Sequence, residues 1–188
     1  MNALQVFSLA VLSVMAAQAQ VIMPGRCPQP AVQKDFDAAR YLGTWFDILK
    51  IPQSFQKGEC STATYTLQSP GVVGVFNREL LADGTINTIS GTATAKDPSE
   101  PAKLSVTFFE NSPPAPYWVL DTDYSSYSLV YSCTDLGLLH VDFAWIMSRE
   151  PTLSPLTVAR LTAKLASIGV RVDKLVPTVQ DEEYCRAM

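Results

Sequence analysis

The sequence predicts an all-β fold, an eight-stranded antiparallel up-and-down barrel with one C-terminal α-helix packed on the outside. Eight short runs of β-favouring residues lie between Trp45 and Met147, and turn residues such as Gly, Pro, Asn and Asp separate them. The connections are too short for the helices that parallel strands require, so consecutive strands are expected to pair antiparallel. A single amphipathic helical pattern follows the last run, and its apolar face must lie against the barrel wall.

A short helix-prone segment, Phe36–Arg40, precedes the first strand. Eight strands of this length fit one closed barrel whose interior can hold a small ligand. A β-sandwich is the alternative architecture, but a sandwich buries a dry core, whereas several inward-facing candidates in this chain are polar. The predicted strands are, in order, Trp45–Ile51, Thr62–Gln68, Val72–Leu81, Thr85–Ala95, Lys103–Phe109, Tyr117–Leu120, Tyr127–Cys133 and Leu139–Met147.

Beyond the last strand the pattern changes to that of a helix. Ser154 can cap its start, a proline stands in its first turn, and Gly169 ends it. Val170–Val176 indicates one more short strand, whereas residues 20–35 predict an extended arm and residues 178–188 a polar tail. The apolar stripe of the helix consists of Leu156, Ala159, Leu161, Leu165 and Ile168.

The N-terminal segment has the pattern of a secretory signal peptide. Leu4–Ala17 is an apolar stretch shorter than the roughly 20 residues that cross a bilayer. Ala17-Gln18-Ala19 then offers small residues at the positions that a signal peptidase reads. We therefore expect residues 1–19 to be a cleaved signal peptide, residues 20–188 to form a single domain, and the mature protein to be secreted to the extracellular space.

Composition excludes several classes of function. The chain of 188 residues carries a net charge of −4, which offers no basic surface for a nucleic acid. Its single histidine, His140, argues against metal sites and against most acid–base chemistry near neutral pH. The four cysteines of a secreted chain predict two disulfides, and the sequence leaves three pairings open. No two cysteines have the close spacing of zinc ligands, so neither a metal nor another cofactor is expected.

Three segments resemble, in chain order, the three signature regions of the lipocalins: Gly43-Thr44-Trp45, Thr122-Asp123-Tyr124 and Arg149. The similarity to one lipocalin subfamily extends over nearly the whole mature chain. The resemblance implies a secreted eight-stranded barrel that binds small hydrophobic molecules such as fatty acids, steroids or related lipids. It also implies the disulfides Cys27–Cys133 and Cys60–Cys185, each of which would tie a terminal arm to the barrel.

The resemblance gives the signature residues a structural role and not a place in the ligand site. Trp45 is expected to close the narrow end of the barrel, with the planar guanidinium of Arg149 across its indole face. Gly43 permits a tight turn or a positive φ just before this tryptophan. The structural signature set is Gly43, Trp45, Thr122, Asp123, Tyr124 and Arg149.

Ligand-binding residues are expected on the strand faces that point inward. The resemblance places Trp145 in the pocket, and strand alternation adds residues at intervals of two. It also places Asn77 and Glu79 there, and a carboxylate in an apolar cup indicates a polar anchor for a ligand headgroup. The predicted ligand-binding set is Tyr65, Val75, Asn77, Glu79, Phe143, Trp145 and Met147, and Val73 and Val141 share those faces. The facing of Tyr117, Trp118, Tyr127 and Tyr131 stays open.

The chain departs from the subfamily that it resembles in the loop between the fifth and sixth predicted strands. The loop tip Glu110-Asn111-Ser112 is polar where the subfamily carries large apolar residues, which weakens the case for contact with a membrane or a lipoprotein. The sequence has no fifth cysteine near Cys133, so a disulfide bond to a partner protein is not expected. The protein is expected to be a monomer.

A carrier of small hydrophobic ligands is the leading functional hypothesis. A lipocalin-type isomerase acting on a lipid is one alternative, but such enzymes use a pocket thiol, and all four cysteines here match structural positions. His140 alternates with Trp145 and is expected to face outward, so no enzymatic activity is predicted. A bilin- or retinoid-binding pigment protein is the other alternative.

Overall fold

The computed structural model describes residues 21–110 and 112–188, and the predicted signal peptide lies outside this range. Within the described range, ten strands form one antiparallel sheet. The strands are β1 Val21–Pro24, β2 Gly43–Lys50, β3 Glu59–Ser69, β4 Val72–Leu80, β5 Ile86–Ala95, β6 Lys103–Thr107, β7 Ala115–Thr122, β8 Tyr127–Asp135, β9 Leu139–Ser148 and β10 Val176–Pro177. The helices are α1 Ala38–Tyr41 and α2 Pro155–Ser167, with a 3₁₀ helix at Val172–Lys174.

Strands β2 to β9 pair in chain order, and β9 pairs back with β2, so the sheet closes into a barrel. The predicted eight-stranded up-and-down barrel is therefore confirmed. The loops 51–58, 81–85, 108–114 and 136–138 lie at one end, which we call the open end. The opposite end, where β2 begins and β9 finishes, is the closed end.

Two short strands, β1 and β10, extend the sheet at places where two neighbouring barrel strands no longer pair with each other. β1 belongs to the predicted N-terminal arm and pairs with the start of β9, and β10 pairs with the end of β2. The predicted strand Val170–Val176 is wrong over most of its length. The Val170 N–H donates to the Leu165 carbonyl and the Val172 N–H to the Val170 carbonyl, so these donors are satisfied locally and not by a strand.

Helix α2 packs on the outside of the barrel, as predicted. Ser154 caps its first turn, and Leu161 and Leu165 are fully buried against the wall. The first part of the predicted stripe is wrong, because Leu156 is 82% exposed and Ala159 is exposed as well. The fully buried residues of the helix thus lie in its C-terminal half. Among the described residues, no helix combines the length and the apolar character that a membrane span needs.

Strand alternation divides the apolar side chains into an inner and an outer cluster. The inner cluster surrounds Trp45 inside the barrel, and the outer cluster lies between the barrel and α2 around Ile146. This division shows which way the four aromatic side chains point whose orientation the sequence left open. Tyr117 packs against the inner cluster, whereas Trp118, Tyr127 and Tyr131 belong to the outer one.

Both expected disulfides are present. Cys27–Cys133 joins the N-terminal arm to β8, and Cys60–Cys185 joins the C-terminal tail to β3. No cysteine in the described part of the chain is free. The two bonds therefore fix both terminal segments to the barrel wall.

Candidate functional site

The signature residues meet at the closed end. Trp45 is fully buried, and the guanidinium carbon of Arg149 lies 3.7 Å from the centroid of its ring. Arg149 also donates hydrogen bonds to the carbonyl oxygens of Tyr124 at 3.0 Å and Leu42 at 2.8 Å. Gly43 has a φ of +95°, and a Cβ at this position would lie 3.2 Å from the guanidinium, so the contact and the conformation both favour glycine.

The loop between β7 and β8 holds the other signature residues. The Thr122 hydroxyl donates to the Tyr127 carbonyl at 2.7 Å and accepts from the Tyr124 N–H at 2.9 Å. The Asp123 carboxylate accepts from the backbone N–H groups of Ser126 and Tyr127 at 2.8 and 3.0 Å. These bonds fix the loop whose carbonyl oxygen Arg149 binds, which supports a structural role for the set.

Several predicted ligand residues lie on the inner face of the barrel. Tyr65, Val75 and Met147 belong to the inner cluster, and Trp145 packs against it while remaining partly exposed. Phe143 stacks against Trp145 with ring centroids 6.4 Å apart. The ring of Phe143 also packs against that of Phe55 in the β2–β3 loop, with centroids 5.5 Å apart. Val73 and Val141 are buried as well.

The two predicted polar anchors, Glu79 and Asn77, differ in whether their side-chain oxygens are available to a ligand. Glu79 is buried, and its carboxylate accepts from the Gly58 N–H at 2.6 Å and from the Asn87 amide at 2.8 Å. Both oxygens are thus engaged within the protein, one by the β2–β3 loop and the other by β5. Asn77 is half-buried, and its Oδ1 is buried without a hydrogen-bond partner among the described residues.

A chain of hydroxyl groups links the inner faces of β3, β7 and β8. The Tyr117 oxygen lies 2.6 Å from that of Tyr65 and 3.0 Å from that of Tyr41, which in turn lies 2.8 Å from Ser128 Oγ. Burial raises the pKa of Tyr41 to about 12 and raises the pKa of Tyr65 and of Tyr117 well above the ordinary value. These phenols therefore stay neutral at physiological pH, and Tyr41 is a member that sequence reasoning missed.

The structure also buries an acid and a base that sequence reasoning missed, Asp47 and Lys50. Alternation from Trp45 would have placed Asp47 on the inner face. A β-bulge between Asp47 and Leu49 shifts the register, and period-two alternation cannot foresee the burial of Lys50 that follows. The Lys50 ammonium donates to the carbonyl oxygen of Gly58 at 3.0 Å.

The β2–β3 loop folds back over the interior through two glutamines. The Gln56 amide nitrogen donates to Asp47 Oδ2 at 2.6 Å. Its oxygen accepts from the Trp145 indole N–H at 3.0 Å and from the Gln53 amide nitrogen at 2.8 Å. Glutamines in a loop carry no periodic signal, so no pattern in the sequence identifies them as site residues.

The substitution Asp47→Asn is expected to remove part of the pH dependence of stability. Burial raises the pKa of Asp47 from 3.8 to about 6, an effect that Lys50 and Gln56 reduce and that Glu79 increases. Because the folded value is the higher one, protonation stabilises the fold fully below the unfolded pKa, and this contribution is lost as pH rises through about 6. Going from about pH 7.5 to about pH 4.5, the group should add about 2 kcal/mol to wild-type stability.

Urea unfolding of the wild type and the Asp47→Asn variant at both pH values measures this contribution, since the other titrating groups cancel in the difference. Asparagine keeps an oxygen that can accept from Gln56. An equal pH response in the two proteins would mean that burying the Asp47 charge costs nothing.

A second cluster of titratable groups lies on the outer face of the barrel. His140 faces outward as predicted but is buried, and its Nδ1 lies 3.0 Å from the carbonyl oxygen of Gly25, the residue after β1. Potential ligand atoms of His140, Asp142 and Cys133 lie within 4.8 Å of one another. The Cys133 sulfur is bonded to Cys27, so this cluster has no thiolate to offer a metal.

Exposed apolar side chains surround the open end. They come from three loops and comprise Phe55, Phe109, Leu136 and Leu138. The predicted polar tip contributes Glu110 and Ser112 beside Phe109, and Asn111 lies outside the described residues. The polar tip is therefore a weaker argument against contact with a lipid surface than the sequence indicated.

Comparisons with known proteins agree with this geometry. A family model described as a lipocalin-like domain matches residues 36–180. Apolipoprotein D of Bos taurus is 50% identical over 171 residues, covering 90% of this chain and 89% of its own, and that of Mus musculus is 50% identical over 165 residues, covering 87% of each. The solved structure of lobster apocrustacyanin A1 is 27% identical with a TM-score of 0.75 and covers 86% of this chain and 92% of its own. The chain therefore belongs to the lipocalin family.

Proposed function

We propose that the protein is a secreted carrier that binds one small hydrophobic molecule, such as a fatty acid, a steroid or a related lipid, inside the barrel. The observation that carries this proposal is the partial exposure of Trp145 and Asn77 on the inner face. A barrel interior that is filled by its own side chains buries them completely. Side chains that remain partly exposed there indicate space that a ligand can occupy.

The lining of this space suits a lipid with a polar end. Trp145 and Phe143 present stacked aromatic rings, and Val75 and Met147 present aliphatic surface. The free Oδ1 of Asn77 provides a hydrogen-bond acceptor. Pockets of this kind, apolar with a few placed polar groups, orient a small ligand. The similarity to apolipoprotein D, whose name associates it with lipid, supports the same ligand class.

A binding role is favoured over catalysis by the chemistry of the interior. The four cysteines form two disulfides, so they supply no pocket thiol. Burial keeps the inner phenols neutral, and His140 lies on the outer face of β9. Secretion fits both disulfides, since such bonds persist in oxidising compartments.

A titration followed by tryptophan fluorescence tests the carrier function. Addition of a steroid or a fatty acid to the wild type should change the emission, because the ligand would lie against Trp145. In Trp145→Phe the change should largely vanish, while affinity falls by only about 1 kcal/mol, since Phe retains most of the apolar area.

The matched control is Trp118→Phe, because Trp118 belongs to the outer cluster. The Lys103 ammonium lies 4.8 Å from the centroid of its ring. This variant should keep the full ligand-induced change. A response that survives in Trp145→Phe and disappears in Trp118→Phe would place the ligand outside the barrel.

A further inference from the structure

The glutamine pair over the barrel interior has a fixed orientation. An indole N–H can only donate, so the Gln56 atom that faces Trp145 must be its oxygen. The Gln56 nitrogen then faces the Asp47 carboxylate, in agreement with their 2.6 Å contact. Gln53 must in turn direct its nitrogen to the Gln56 oxygen, at 2.8 Å. The side-chain oxygen of Gln53 is therefore turned away from the pair.

That oxygen is left without a partner in a buried place. Gln53 is 2% exposed, and its Oε1 has no hydrogen-bond partner among the described residues. The Oδ1 of Asn77 is in the same condition. Buried carbonyl oxygens are nearly always hydrogen-bonded in folded proteins, and an exception calls for a water or a ligand that donates. These two buried side-chain atoms without a partner are thus both acceptors.

The charged side chains near these acceptors also disfavour an anionic ligand. Asp47 and Glu79 are buried carboxyl groups, and Lys50 is a buried ammonium that already donates to Gly58 and Ser61. With both acids ionised, the three side chains sum to −1. A ligand carboxylate would enter this region against a negative charge.

We propose that the barrel selects lipids whose polar end donates a hydrogen bond, lipid alcohols above all, over lipids that end in a carboxylate. The hydroxyl of such a ligand would donate to Gln53 Oε1 or Asn77 Oδ1 while its hydrocarbon part lies against Trp145. This proposal rests on the carrier function proposed above and specifies its ligand class.

Three ligands with the same hydrocarbon chain separate the effects: dodecanol, dodecanoate and methyl dodecanoate. The alcohol donates a hydrogen bond, the acid anion carries charge, and the ester has neither property. Each ligand is titrated into the protein near neutral pH, and its dissociation constant is obtained from the change in Trp145 fluorescence. Dodecanol should bind at least tenfold more tightly than dodecanoate or methyl dodecanoate.

The variants Gln53→Met and Asn77→Leu remove the two acceptors with little change of volume. At least one of them should reduce the preference for dodecanol over the ester by severalfold. Gln68→Met is the matched control, because Gln68 is exposed near the closed end of β3, and it should leave the preference unchanged.

The possible results separate this proposal from the carrier function. Dodecanoate binding as tightly as dodecanol, or the ester binding as tightly as the alcohol, would overturn the selectivity and leave the carrier function standing. Failure of all three ligands to bind, together with failure of a steroid in the same assay, would overturn both. A preference for dodecanol that neither variant changes would overturn the assignment to Gln53 and Asn77.

Discussion

Loss of either disulfide is expected to lower the free energy of unfolding by about 5 kcal/mol. The bonds close loops of 106 and 125 residues, and the entropy that a cross-link removes from the unfolded chain grows with loop length. The double variants Cys27→Ser/Cys133→Ser and Cys60→Ser/Cys185→Ser remove one bond each without leaving an unpaired thiol. Urea unfolding compares their midpoints with that of the wild type.

The two double variants should also differ locally. The tail beyond β10 is held by the Cys60 N–H, which donates to the Val179 carbonyl at 2.9 Å, and by the Val179 N–H, which donates to Glu59 at 2.6 Å. Without the Cys60–Cys185 bond, the Val179 amide should exchange its hydrogen much faster, whereas loss of the other bond should leave it protected. A loss of stability below 1 kcal/mol for both variants would show that non-covalent contacts alone fix the arms.

Arg149→Ala is expected to destabilise the protein by about 3 kcal/mol or more. The cation–π contact with Trp45 contributes about 0.5–2 kcal/mol, and each hydrogen bond from a charged donor about 1.5–3 kcal/mol. The substitution also leaves the carbonyl oxygens of Leu42 and Tyr124 without their donor. Thermal or urea unfolding measures the loss, and the affinity of the folded fraction for a lipid should change little.

Arg149→Lys is the matched variant, because lysine keeps the charge but loses the planar fork that stacks on Trp45 and reaches several carbonyl oxygens at once. Its stability should lie between those of the wild type and Arg149→Ala. Full stability of Arg149→Ala together with a large loss of ligand affinity would show that the closed end is part of the ligand site.

Much of the fold follows from local patterns in the sequence. Runs of β-favouring residues between turn residues predict the barrel strands. Once the family resemblance places Trp145 in the pocket, strand alternation gives the inner face of β9. The cap at Ser154 marks the start of α2. These features depend on neighbours in sequence, which is why a single sequence suffices to predict them.

The parts that could not be predicted depend on long-range contacts. Lys50 is turned inward by a β-bulge, and no spacing rule gives the position of a bulge. Gln53 and Gln56 enter the site because their loop folds back onto Asp47 and Trp145. The strands β1 and β10 are short segments that form only because barrel strands leave backbone groups available beside them. Lys50, Gln53 and Gln56 therefore belong to the polar part of the interior that periodicity does not reveal.

Native mass spectrometry of the mature protein, purified without organic solvent from cells that secrete it, tests most directly whether the barrel carries a lipid. We expect one small molecule per chain, released by organic extraction and restored when a lipid is added back. A chain that carries nothing when purified, and that takes up no alcohol, steroid or fatty acid afterwards, would contradict the carrier function.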